Sequence, residues 1–137
     1  MNKYVLYLGL FFLLISCNGK RSALDEFDSI ISNSNRILIH FNENRYYNEK
    51  GHIKIISNLS QINELRELLQ KSTKNENCNY YNGTMTFFSD TKEMGFLEFS
   101  SDAKCPAFYL HTQGQITQYR MTPYFGLFLE GIRQEPN

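Results

Sequence analysis

Between residues 81 and 121 the chain breaks into four short runs, Tyr81 to Phe88, Gly95 to Ser100, Ala107 to Thr112 and Gln115 to Met121. Few residues separate them. Thr84-Met85-Thr86-Phe87 and Leu97-Glu98-Phe99 alternate polar with apolar, the period of a sheet with one wet face. Gln113-Gly114 marks a tight hairpin between the last two runs. Links this short can join only antiparallel neighbours. A sheet with one apolar face must cover it, and helices from elsewhere in the chain are the available cover.

The residues before and after this block supply them. Ser22-Ala23-Leu24-Asp25 has the spacing of a capping box, and Leu24, Phe27, Ile30 and Ile31 follow at helical spacing, so a helix is expected over Ala23 to Ile31. Arg36 to Phe41 and Gly51 to Ser57 read as two strands, with Asn48 to Gly51 as their turn. Ile62, Leu65, Leu68 and Leu69 form one apolar stripe on a helix over Ser60 to Ser72, and Ser72 to Asn79 reads as a polar loop. Thr122-Pro123 opens a last helix, Thr as N-cap and Pro at the first position, with Phe125, Phe128, Leu129 and Ile132 toward the sheet. The expected order is α-β-β-α-β-β-β-β-α. It describes an α+β domain over residues 22–137, with one antiparallel sheet of about five to six strands and helices packed on one face.

With 14 basic and 14 acidic residues, the chain has no field to draw in phosphates, and no nucleic acid partner is expected. The 16-residue start holds one of those charges, Lys3, leaving 13 basic against 14 acidic from Cys17 onward.

That start has the shape of a leader. Lys3 follows the amino terminus, and Tyr4 to Ile15 is apolar but for Gly9. As a helix this run spans about 18 Å, short of the roughly 30 Å hydrocarbon core, so a signal-peptide segment fits better than a membrane span. It ends in Leu14-Ile15-Ser16-Cys17, which resembles the lipobox of bacterial lipoproteins. The resemblance implies a signal peptide over residues 1–16, cleavage before Cys17 and lipid on its thiol and new amino group. Two or three acyl chains hold far more firmly than one. It also implies a cell-envelope location, and Asn18, where an Asp would favour the inner membrane, leans to the outer membrane of a Gram-negative cell. Asp25-Glu26 lies further along than an acidic surface-export signal would. Residues 17–21 form a tether of at most about 18 Å, so the membrane itself is one expected partner.

With Cys17 lipidated, Cys78 and Cys105 remain. An even remainder in an exported chain points to a disulfide, the alternative being two free thiols. A catalytic Cys105 has only His111 nearby in sequence, and a strand between them holds the two some 20 Å apart. His40, His52 and His111 form no close pair; His40 and His52 could meet across the first hairpin, where solvated strand histidines are the plainer reading. Gly-rich phosphate loops and Gly-x-Ser-x-Gly elbows are absent, and no residue set calls for a metal or cofactor. Tyr46, Tyr47, Tyr80 and Tyr81 lie beside Asn, and Phe96 belongs on the outer face if Leu97 and Phe99 point inward. Together they form a possible binding surface for protein or sugar; the plainer reading is that Tyr favours half-buried strand ends.

The leading expectation is a lipid-anchored, non-enzymatic module that contacts a protein or envelope polymer, in a sharper form an immunity or inhibitor protein against an exported toxin. The alternative is a small envelope hydrolase whose site is assembled across the fold. A third reading, solute binding, needs a cavity that so short a chain barely encloses.

Overall fold

A computed structural model describes residues 22–42, 52–75, 77–112 and 114–136. Three helices, α1 (Ala23–Ser32), α2 (Leu59–Gln70) and α3 (Pro123–Gln134), cover one face of a seven-stranded sheet. Its strands are β1 (Arg36–Phe41), β2 (His52–Ile56), β3 (Thr73–Lys74), β4 (Gly83–Ser89), β5 (Lys92–Ser100), β6 (Ala107–Thr112) and β7 (Gln115–Arg120). The spatial order is β2-β1-β4-β5-β6-β7-β3, and every pair is antiparallel.

The α+β class, the single antiparallel sheet and the one-sided helices agree with the sequence reading; the strand count is seven rather than five to six. The extra strand is β3, two exposed residues against Arg120 and Tyr119 of β7. A two-residue pairing leaves no hydrophobic period to read. β5 also starts three residues earlier than expected, because its pairing with β4 continues past a bulge at Phe87/Phe88 to Ser89↔Lys92. The helix α2 takes the chain from β2 at one edge to β3 at the other. At 1.5 Å per residue its 12 residues cover about 18 Å of a sheet roughly 29 Å across.

Local chemistry sets the helix starts. The Ser22 Oγ accepts from the Asp25 amide at 3.1 Å, and the Ser22 amide donates to Asp25 Oδ2 at 3.2 Å, the reciprocal capping box. Asn58 Oδ1 accepts from the Ser60 amide at 2.8 Å, and Thr122 Oγ1 from the Phe125 amide at 3.3 Å with Pro123 behind it. The β4–β5 turn places Asp90 at φ 55°, a conformation that Asp tolerates through its short polar side chain. Asn35 clamps it from both sides, donating to Asp90 Oδ1 and accepting from the Asp90 amide.

The core lies between the sheet and the helices. Ile37, Ile39, Met85, Phe87, Leu97, Phe99, Phe108 and Leu110 are fully buried from the sheet side; Phe27, Leu65, Phe125 and Leu129 meet them from the helices. Phe27 stands edge-on to Phe87 at 5.2 Å, and Phe108 stacks on Tyr119 at 5.2 Å, geometries that add to area burial. An ion pair joins two of the helices: Arg66 Nε and Nη2 donate to the two Asp28 carboxylate oxygens at 2.5 and 2.6 Å. Among the described residues no helix is long and apolar enough to cross a membrane.

Candidate functional site

Because the helices occupy one face, the opposite face is where the sheet meets solvent. The register determines which side chains stand there together. Ile55 pairs with Leu38, Leu38 with Thr86, Thr86 with Phe96, and His111 with Ile116. Phe96 and His111 join the two halves, their rings 4.9 Å apart. One row therefore runs Ile55, Leu38, Thr86, Phe96, His111, Ile116 across six strands, about 24 Å at ~4.8 Å per step. Its ends and middle are open: Ile55 is 62 % exposed, Phe96 39 % and Ile116 65 %. The adjacent row, Ile53, His40, Thr84, Glu98, Tyr109, Gln118, is more polar.

One end of this face is roofed. Cys78 and Cys105 form a disulfide with Cα atoms 5.9 Å apart, as the cysteine count suggested. It pins a strap, Asn77 to Asn82, over Ala107 and Tyr109, which with Cys78 make a second, smaller cluster apart from the main core. Tyr109 ties the strap down from below. Its hydroxyl lies within hydrogen-bond distance of the Cys78 and Tyr80 carbonyl oxygens, at 2.9 and 3.0 Å, and accepts from the Tyr80 amide at 3.3 Å. Burial pushes the Tyr109 hydroxyl above its ordinary pKa, with the hydrogen bond at Tyr80 acting against it and the Glu98 charge with it.

Between the strap and β7 lies an open cleft of about 750 Å³, lined among others by Tyr80, Tyr81, Glu98, Tyr109, Ile116 and Gln118. Glu98 Oε2 meets His111 Nε2 at 2.8 Å, so the Phe96–His111 ring pair touches the cleft through the lining residue Glu98. Gln118 Nε2 is buried without a hydrogen-bond partner. No family model, curated protein or solved structure matches this chain. The site is thus described by its own chemistry: aromatic rings, side-chain amides and one carboxylate held against an imidazole.

Of the residues singled out from sequence, Tyr80 is half-buried in the strap, Tyr81 is 52 % exposed beside the cleft, and Phe96 stands on the outer face with Leu97 and Phe99 buried beneath. Tyr46, Tyr47 and Cys17 lie outside the described residues, as does the expected turn at Asn48 to Gly51. His40 and His52 do not face each other. His40 pairs with Ile53 and His52 with Phe41, and neighbours along a strand alternate faces, so the two histidines point to opposite sides of the sheet. Cys105, being in the disulfide, is no nucleophile. Among the described residues no group of three or more His, Cys, Asp or Glu side chains could hold a metal ion.

Sequence reasoning missed Glu98, Tyr109, His111, Ile116 and Gln118 as a group. Their signal was present in the alternation: each sits between residues of the opposite face. Only the register of three strands brings them side by side.

Proposed function

We propose that this is a lipid-anchored cell-envelope protein, cut before Cys17, that works as a non-enzymatic module binding a protein or polymer partner through the outer sheet face. The observation that carries the binding half is the row from Ile55 to Ile116, in which Ile55, Phe96 and Ile116 stay open to solvent on the face that none of the described helices covers. Apolar side chains left open along one sheet face, here interleaved with Thr86 and His111, are a common feature of interaction sites. The anchoring half rests on Leu14-Ile15-Ser16-Cys17 behind an apolar run, and the outer membrane of a Gram-negative cell is its proposed home. Neutralising an exported toxin is one specific job such a module would do.

Two experiments test the two halves. Cells fed an alkyne fatty acid should label the full-length protein and leave Cys17→Ala unlabelled; equal labelling, or none in either, sinks the anchor. A photo-crosslinking amino acid at Phe96 or Ile55 should give a discrete adduct in cells, while the same group at Glu130 on α3 gives none. No adduct from the sheet positions removes the binding reading.

A second reading, a small envelope hydrolase, has one observation in its favour: Glu98, which lines the cleft, is in contact with His111, a residue pairing that general acid–base catalysis uses. It requires His111→Ala to abolish turnover of an envelope ester, amide or glycoside that the intact protein cleaves.

A further inference from the structure

The cleft beside the strap has a composition suited to one class of ligand. Its wall carries the exposed ring of Tyr81 and its floor the ring of Tyr109; Gln115 and Gln118 add side-chain amides. The charged residues along it, Lys74 and Glu98, are one of each sign, so the cleft has no net preference for an ionic ligand. Glu98 is in addition engaged by His111 on one oxygen.

Few ligands need all of these at once. A pyranose ring has an apolar C–H face that lies flat on an aromatic ring, and a rim of hydroxyls that donate and accept together. Amides and a carboxylate answer that rim from both sides, and a neutral sugar needs no balancing charge. The volume of about 750 Å³ falls within the range of small-ligand sites and leaves room for more than one ring. We propose that the cleft is an oligosaccharide subsite for a neutral hexose or N-acetylhexosamine chain, with Tyr81 as the stacking platform and the exposed Gln115 side-chain amide as a reader of the hydroxyl rim. The inference rests on the reading of the outer face as the working surface, and it gives that face's polymer partner a chemistry. The chain could come from the envelope's own amino-sugar glycan or from a glucan in the surroundings.

The test is calorimetric titration of the full-length protein in detergent with chitotetraose and, separately, with maltotetraose. At least one should bind saturably, with Tyr81→Ala and Gln115→Ala each weakening it about tenfold, or about 1.4 kcal/mol, and Glu130→Ala, on α3 away from the cleft, leaving it unchanged. Binding of chitotetraose alone assigns the site to envelope amino sugars, and of maltotetraose alone to glucans; either supports the proposal. Binding of neither at millimolar concentration overturns it, as does binding that the Tyr81 and Gln115 variants do not alter. Crosslinking at Phe96 separates this from the broader reading. A protein adduct without sugar binding sinks the saccharide subsite alone, and no adduct and no sugar binding sinks both.

Discussion

Gly83 sits where two phenylalanine rings close over the sheet. It pairs with Phe41 on one side and Phe99 on the other, and those rings meet edge-on at 5.7 Å above it. A Cβ built on Gly83 would stand 2.2 Å from the Phe99 ring, and Phe99 is fully buried with no free space to retreat into. Gly83→Ala should therefore destabilise by about 1–3 kcal/mol through overpacking, measured by denaturant unfolding. Adding Phe99→Leu, which makes room, should cost less than the two single changes summed. Tyr109→Phe keeps the ring and removes the hydroxyl that holds the strap. The Tyr80 amide and two carbonyls then lose a partner, and the expected cost is about 1–2 kcal/mol. Amide exchange at Tyr80 should quicken in the same variant, and an unchanged rate would show that the strap does not depend on this hydroxyl. Neither residue announced itself in the sequence. Gly83 fell within the expected strand Tyr81 to Phe88 and Tyr109 within Ala107 to Thr112, with nothing to mark either, because the atoms that decide their roles lie 16 to 31 residues away.

At the level of elements, the strands and helices whose apolar residues repeat were legible to within a few residues: β1 and β6 begin and end where the pattern predicted, and the caps at Ser22 and Thr122 are in place. What stayed hidden carries no period. β3 is too short to have one, and the first residues of β5, Lys92 to Met94, pair beyond a bulge. The pairing between helices was also invisible, since Asp28 and Arg66 are 38 residues apart. Their ion pair has a definite pH signature. The Arg66 hydrogen bond holds the Asp28 carboxyl below its ordinary 3.8, against the opposing effect of burial. A depressed carboxylate contributes stability above its unfolded pKa and loses it as pH falls through the folded value. The melting temperature should thus drop as pH is taken below about 4, and Asp28→Asn should flatten that part of the drop. At neutral pH the substitution should cost no more than about 1 kcal/mol, because the Arg66 and Asp28 side chains are 38 % and 23 % exposed. Replacing both Cys78 and Cys105 by Ser should lower stability by about 3.5 kcal/mol in the chain-entropy account. The main core should stay folded, since the residues around the disulfide cluster separately from it; circular dichroism that loses its helical signal would contradict this.

For the whole molecule, the two faces of the sheet divide the labour. One buries aromatic and aliphatic side chains under the described helices, and the other leaves Ile55, Phe96 and Ile116 open among more polar neighbours. Exposed apolar residues add little to folding where they stand, so Ile55→Asp should change stability by no more than about 0.5 kcal/mol while removing the crosslinked adduct formed from Phe96. A large loss of stability instead would mean that Ile55 serves the fold rather than a partner. Redox chemistry adds an order of events. The meander and helices are built from contacts indifferent to thiols, whereas the strap beside the cleft is held by the Cys78–Cys105 bond together with the Tyr109 hydroxyl. A freshly made, reduced chain would therefore hold its core before its strap was fully fastened, and the cleft would take its final shape last, when the two thiols are oxidised.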